Sequence, residues 1–513
     1  MQLSDISLNN HQVLFDAIEY NYPSSREDRN TIKKIILDEK NPLYLRAMVL
    51  SALTLNLLKY FDNEKFESLY TYTLDDQDIV IRIRAYVAII LVTMKHDVRI
   101  SLDEKLVEQL NLIFEDFDAP TDKNILLDIQ IGLIKCTQAH QAAKKMKESL
   151  GSQIEQGLNI IKDNKGKKDD IAPAWDEYLE ESGLQEQIND LIDLQRDGID
   201  IMLDSFAQMS HLPFFKIKCN WFIPFSEEYP LINSIAQKSK RKELLIKVMT
   251  KSGNMCSTDK YSNVLMLALM PDSQMEQIET ALKANDVKID NIVEAKPEDE
   301  IINYLHDLYR YYYISKLETD EYNPFNRSLY FGNYFGLNTI IKKHETKTLV
   351  ANCLYRFKFY KEAIIALKDI IKIEENEEYL QKYAFSLIHT DAEANAKIIS
   401  ETLSRTNYLF PGNKWTIKNL YKSLDMLCVP KIEVEKVLRD GYKAFPEDIY
   451  FINHLASCLM IQEKYEEALQ LLFKSDIIKE NYTQTMRLLV ECAKKMDKKA
   501  IVEKYTQKLR SIE

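Results

Sequence analysis

Ala351-Asn-Cys-Leu354, followed by Phe359-Tyr-Lys-Glu-Ala363, recurs 105 residues later as Ala456-Ser-Cys-Leu459, followed by Lys464-Tyr-Glu-Glu-Ala468. In both copies the tyrosine comes nine residues after the first alanine, and the second alanine three residues after the tyrosine. A short repeated unit of this kind does not close a core alone. It buries its apolar face by stacking on its neighbours. The feature confines this part of the chain to stacked helix pairs, an architecture that serves to present a surface.

Composition supports an all-α chain. Of 513 residues only 11 are glycine, against a typical ~7%. Phosphate-cradling loops, tight hairpins and barrel corners all draw on glycine, so its scarcity argues against them. Hydrophobic residues make up 46%, ample for buried faces, and the length predicts several units rather than one. The net charge of −12 is opposite to the footprint left by binding a nucleic-acid backbone. The nearest basic stretch, Lys238 to Lys251, reads as a solvated helix face, and a nucleic-acid partner is not expected. The seven cysteines are odd in number and form no Cys-x-x-Cys, so they read as reduced, buried thiols. The N-terminus lacks a basic region followed by an apolar run, and the longest near-apolar run, Ala85 to Met94, is too short to span a bilayer. A cytoplasmic protein without a membrane segment is the expectation.

Residues 1–160 carry a second, weaker repeat. Leu45-Arg-Ala-Met-Val-Leu-Ser-Ala-Leu53 aligns with Ile83-Arg-Ala-Tyr-Val-Ala-Ile-Ile-Leu91 at an offset of 38. Each copy follows a break, Asn41-Pro42 or Asp75-Asp-Gln-Asp78, and precedes another apolar helix near 66–74 or 106–114. A poorer third copy lies at 125–134. An arginine at the helix start with an Ala-rich face behind it resembles HEAT repeats, whose period is ~40 residues.

A polar stretch, Lys162 to Asp170, reads as a linker. The central region, 170–340, is expected to be helical with irregular aromatic segments. Leu184, Ile188, Leu191, Ile192, Ile199, Met202, Phe206 and Met209 recur at helical spacing and predict one amphipathic helix whose many carboxylates face outward. Pro213, Pro224 and Pro230 forbid a continuous helix through the aromatic tract 211–225. Its rings read either as a buried strut or as a docking surface. A second aromatic tract runs from Tyr304 to Phe335.

From about residue 341 to 513 the chain resembles tetratricopeptide repeats, whose unit is 34 residues. The small first-helix residue falls at Ala351, Ala384 and Ala456, with Lys422 as a departure in the third unit. The second-helix positions are Ala363, Ala396, Val434 and Ala468. Leu354, Leu387 and Leu459 would pack on them, and residues 482–513 would form a capping pair. The resemblance implies a face on the first helices that binds an extended peptide or a helix. Carried over by register, its side chains are Asn352, Tyr355, Arg356, Gln381, Phe385, His389, Asn419, Ser423, Asn453 and Ser457. The chaperone-binding members of the family use a lysine- and asparagine-rich clamp. This chain has Asn352 and Arg356 but lacks the lysines.

Nucleotide-binding glycine runs are missing, and the eight histidines are scattered without partners at ligand spacing. His306 and His389 read as packed or capping residues. No cofactor, metal or catalytic residue is expected. The function expected is a non-enzymatic scaffold or adaptor holding a protein partner in the C-terminal groove. A regulatory subunit docking through 211–225 is the alternative. Weaker still is a nucleic-acid-processing or other enzyme with a divergent site.

Overall fold

A computed structural model describes residues 9–74, 77–115, 122–144, 184–238, 240–253, 255–270 and 296–511, together with Leu3, Ile6 and Ser7. The Lys162–Asp170 stretch and the start of the acidic segment lie outside the described residues. Among the described residues every regular element is helical. The chain divides into two compact units, residues 1–346 and 347–513.

The first unit begins with α1 (His11–Glu19), α2 (Arg26–Leu37), α3 (Leu43–Lys59), α4 (Asn63–Thr71), α5 (Ile79–Ser101), α6 (Glu104–Glu115) and α7 (Asp122–Cys136). The two Arg-Ala strings lie in α3 and α5, which pack on each other, while α4 and α6 are the apolar helices that follow them. Both arginines are buried and donate to main-chain carbonyls, though Arg84 Nε has no partner. Arg46 donates from Nε to the Ile36 carbonyl at 2.6 Å. Arg84 donates to the carbonyls of Ala47 at 3.2 Å and Phe222 at 2.6 Å. A guanidinium buried near a helix start thus ties successive helices together, because its fixed donors saturate carbonyls that packing would leave unpaired.

Beyond these come α8 (Leu184–Arg196), α9 (Leu203–Met209), α10 (Pro230–Ala236), α11 (Lys240–Lys251), α12 (Ser257–Leu269) and α13 (Pro297–Ile314). The single amphipathic helix expected over 184–209 is two. Gly198 takes φ 77°, a left-handed value that suits glycine, and the N–H of Ile199 bonds back to Leu194 at 3.1 Å to close the turn. The break turns Asp200 inward rather than outward, where it pairs with Arg310 of α13. On α11, Lys242 is buried and Lys247 bonds Glu243 at 2.7 Å, so the basic stretch is partly self-paired.

The aromatic tract 211–225 is a strut inside the first unit, which removes the docking surface that the alternative reading requires. Phe214, Phe215, Trp221 and Phe222 are buried. Phe222 stacks on Phe15 at 5.3 Å and meets Tyr311 edge-on at 4.7 Å. The irregular backbone is satisfied from within: the Trp221 indole donates to the Phe215 carbonyl, and Asn220 Nδ2 to that of Phe214, both at 2.8 Å. The second tract is held in the same manner. Gln130 of α7 accepts from the Phe331 N–H at 2.8 Å, and Asp97 accepts from the N–H groups of Phe335 and Gly336, each at 3.0 Å. Side chains replace the missing helical partners, as buried backbone requires.

The second unit is a run of helix pairs: α14 (His344–Arg356) with α15 (Tyr360–Ile373), α16 (Glu377–Asp391) with α17 (Ala396–Leu409), α18 (Lys414–Met426) with α19 (Lys431–Ala444), α20 (Ile449–Ile461) with α21 (Tyr465–Ile478), and α22 (Thr483–Lys495) with α23 (Lys499–Arg510). The division between the units falls within the first turn of α14. From α15 onward each helix packs on the next. Ala351, Ala363, Ala384, Ala396, Ala456 and Ala468 are all buried, and Leu354, Leu387 and Leu459 fill the space beside them. Small residues at these crossings let the helices approach closely, and the leucines restore packing density. This is the tetratricopeptide type of array.

Candidate functional site: the first-helix face of the second unit

The turns between paired helices fix the register. Four first helices end on a residue in the left-handed region: Lys358 (φ 65°), Cys428 (φ 53°), Glu463 (φ 62°) and Asp497 (φ 53°). In each case the next N–H reaches five residues back, Phe359 to Leu354, Val429 to Leu424, Lys464 to Leu459 and Lys498 to Ala493, at 2.9 to 3.3 Å. These are Schellman-type stops made without glycine. Counting three residues back from each acceptor gives Ala351, Tyr421, Ala456 and Val490.

The third pair therefore has Tyr421, not Lys422, at the small-residue position. Val434 still occupies the second-helix place and is buried, because Pro430 adds one residue to the turn. The shift corrects two groove assignments. Ser423 is only 2% exposed and its hydroxyl donates to the Leu420 carbonyl at 2.8 Å, so it faces the packed side. Asn419 is half-buried and bonds the Trp415 carbonyl at 2.9 Å. Lys418 and Lys422 take the places assigned to Asn419 and Ser423.

Asn453 also departs from expectation. It is 2% exposed and locked between first helices, donating to Thr485 Oγ1 at 2.9 Å. Gln381 makes the corresponding bond to Thr416 Oγ1 at 3.1 Å and remains half-buried. Ser457, half-buried, donates to the Asn453 carbonyl at 2.9 Å.

The other residues come together. Tyr355 of α14 and Phe385 of α16 meet at 5.5 Å, with Tyr360 5.9 Å from Phe385. His389 stacks on Phe385 at 3.8 Å with ring planes 20° apart, and its Nδ1 lies 2.9 Å from the Phe385 carbonyl oxygen. Trp415 of α18, which lies outside the positions carried over by register, continues the row 6.2 Å from Phe385. Asn352 accepts from Lys382 Nζ at 2.7 Å. Arg356 is exposed at the edge of the row. Burial and the neighbouring Tyr360 push the Tyr355 phenol above its ordinary range.

A second group lies one helix further on. Tyr421 OH is 3.1 Å from His454 Nδ1, and His454 packs on Tyr450 at 4.3 Å. Burial lowers the His454 pKa, Asp425 opposes the shift, and Lys418 and Lys422 add to it, so the ring is neutral at pH 7. Lys418 Nζ sits 4.2 Å from the centre of the Tyr450 ring, and Lys414 pairs with Asp448 at 2.6 Å. His454, Tyr450 and Trp415 carry no individual motif and lie at other helical positions than those carried over by register.

The face thus offers ring faces and edges from four consecutive first helices, with amide and ammonium groups beside them. Its amides and cations are partly engaged by carboxylates of the same helices: Gln381 bonds Glu377 at 2.8 Å, and Lys414 pairs with Asp448.

No protein-family model matches the chain, and no curated protein does. Among solved structures it is similar in part to the MamA RS-1 ArsTM double mutant, at 15% identity and a TM-score of 0.29, over 33% of this chain and 94% of that one. It is also similar to the Cut9–Hcn1 hetero-tetramer of the APC/C, at 13% identity and a TM-score of 0.25, over 95% of this chain and 90% of that one. Yeast Tom70 aligns at 14% identity and a TM-score of 0.17, over 89% of this chain and 99% of that one.

Proposed function

We propose that the protein is a non-enzymatic scaffold or adaptor whose second unit holds an extended peptide or a helix of a protein partner on its first-helix face. The observation that carries this reading is the row Tyr355, Phe385 and Trp415. All three rings are only half-buried. They come from consecutive first helices and touch from one to the next. Rigid aromatic side chains that already hold one conformation lose little entropy when a partner covers them, which is why such residues dominate binding energy at interfaces. Arg356, Gln381 and Lys422 would supply the polar rim. No described helix is long and apolar enough to cross a membrane.

The reading is tested with a photo-crosslinking amino acid at position 385 and, as a control, at exposed Ile398 on α17. Crosslinks to one protein partner are expected from position 385 and not from 398. The paired variant Asn352→Ala, Arg356→Ala is expected to weaken capture of that partner while helix content stays constant. Equal crosslinking from both positions, or undiminished capture by the paired variant, removes the assignment.

A further inference from the structure

Helix α5 does not run straight to Ser101. His96 has φ −119° and ψ 23°, outside helical values, and its Nε2 lies 2.9 Å from the Leu57 carbonyl oxygen. Around the kink, between α5 and the irregular segment 327–334, lies a cleft of about 570 Å³ whose lining includes Lys95, Asp97, Val98, Arg99, Leu102 and Arg327.

The charge in this cleft is one-sided. Its one lining carboxylate, Asp97, already accepts two main-chain N–H groups, from Phe335 and Gly336. Lys95 Nζ donates to the main-chain carbonyl of Glu321 at 3.0 Å and not to its carboxylate. The Arg99 guanidinium lies over the Phe61 ring at 4.8 Å. Nearby Asp103 is engaged with Asn63 Nδ2 at 2.9 Å and caps Leu106. Among the described residues, none of Lys95, Arg99 and Arg327 forms an ion pair with a carboxylate. Burial and the charge of Arg327 both hold the Lys95 ammonium below its ordinary range, with Glu321 acting the other way. Three cations thus share a concave site on a chain of net charge −12. The lip of the cleft is apolar: Val98 is 76% and Leu102 82% exposed.

We infer that this cleft binds a phosphate monoester carrying an apolar group. The dianion meets Lys95, Arg99 and Arg327, and the apolar group rests on Val98 and Leu102. A phosphate monoester carries close to two charges at neutral pH and three acceptor oxygens, and guanidinium groups match its geometry with paired donors. Such a ligand also relieves the repulsion between Lys95 and Arg327, so binding is expected to weaken as salt rises.

The test is calorimetric titration of the full chain with phenyl phosphate at low ionic strength. Saturable binding at one site is expected. Arg327→Ala, at an exposed position where the fold is not at stake, is expected to weaken it about tenfold, with thermal midpoint unchanged. Val98→Ser with Leu102→Ser is expected to weaken phenyl phosphate but not inorganic phosphate. A hexapeptide with a central phosphotyrosine separates the sources. Tighter binding than phenyl phosphate assigns the site to a modified protein, and equal binding assigns it to a small ester. Absence of saturable phenyl phosphate binding at millimolar concentration, or binding that Arg327→Ala leaves intact, overturns the inference.

Discussion

Arg310 grips Asp200 across 110 residues of sequence. Its Nε and one terminal nitrogen donate to the two carboxylate oxygens at 2.7 Å each, and the guanidinium reaches on to Asp259 at 2.7 Å and Thr258 Oγ1 at 2.9 Å. Arg310 is fully buried, and the Phe206 ring lies 4.7 Å below it. This network fixes the break between α8 and α9 against α13. It is the reason an aspartate on an otherwise acidic, outward segment turns inward.

Removing Asp200 leaves the fully buried guanidinium with Asp259 as its remaining carboxylate partner. Asp200→Ala is expected to destabilise the first unit by about 3–5 kcal/mol, measured by urea unfolding under circular dichroism. Burial alone would raise the Asp200 pKa; the charge and hydrogen bonds of Arg310 outweigh it and hold it below the ordinary value. A depressed carboxylate contributes stability that is full above the unfolded pKa of about 3.9 and fades as pH falls below it. The gap between wild type and variant should therefore narrow only in acid, below about pH 4. A gap that stays constant down to pH 2 would assign the loss to packing instead.

Asp128 of α7 has the opposite sign. Burial, with Glu298 of α13 adding to it and Lys135 opposing, raises its carboxyl to about 6. The folded state thus holds a proton that the unfolded chain has already released, and stability falls as pH rises from about 4 to 6. Asp128→Asn removes that cost. It should stabilise the protein by about 1 kcal/mol at pH 7, a figure kept below the full linkage value because the side chain is part-exposed, and by nothing at pH 4. Thermal unfolding at the two pH values checks this, and equal effects at both would contradict it.

How far these features can be read from sequence depends on whether their cause is local. The Ala…Leu…Tyr-x-x-Ala spacing reports a helix crossing within some twenty residues, so it located the pairs, the buried alanines and the final pair. In the third pair Tyr421 fills the small-residue place and Pro430 lengthens the turn, so counting back from Val434 lands one residue off, on Lys422. Helix stops made by Lys358, Cys428, Glu463 and Asp497 carry no glycine signal. Beyond Gly198 the apolar period of 184–209 continues by coincidence, and only Arg310, distant in sequence, reveals the inward turn. The rings of 211–225 announced that they needed cover, but their cover comes from α1, α12 and α13.

Gly441 of α19 gives a prediction whose sign decides between two effects. A glycine inside a helix is about 1 kcal/mol worse than alanine on propensity alone. A Cβ placed there would lie 2.5 Å from Cδ1 and Cε1 of Phe451, a ring that is fully buried and held 5.8 Å from Phe445 and 5.5 Å from Tyr450. Overpacking of this kind costs about 1–3 kcal/mol, so Gly441→Ala should be net destabilising by up to about 2 kcal/mol. A rise in the urea midpoint would show that α19 and α20 are free to move apart. Gly441→Ala with Phe451→Leu should recover part of the loss, since the shorter side chain vacates the space.

Glu435 links the third and fourth pairs. It accepts from Arg439 Nε at 2.7 Å, and from Lys464 Nζ and Gln462 Nε2 at 2.8 Å each. Burial raises its pKa and these three donors lower it further than burial raises it, to about 2. The stability it contributes is complete above the unfolded value of about 4.3 and is lost as pH falls towards 2. Glu435→Gln should lower the thermal midpoint at pH 7 and leave it unchanged at pH 2. Lys464 is part-exposed, so the effect at pH 7 should shrink in 1 M salt, where the screening length is about 3 Å. A variant that loses as much at pH 2 as at pH 7 would mean that the glutamate acts through the shape of its side chain, and that its charge does not hold the two pairs together.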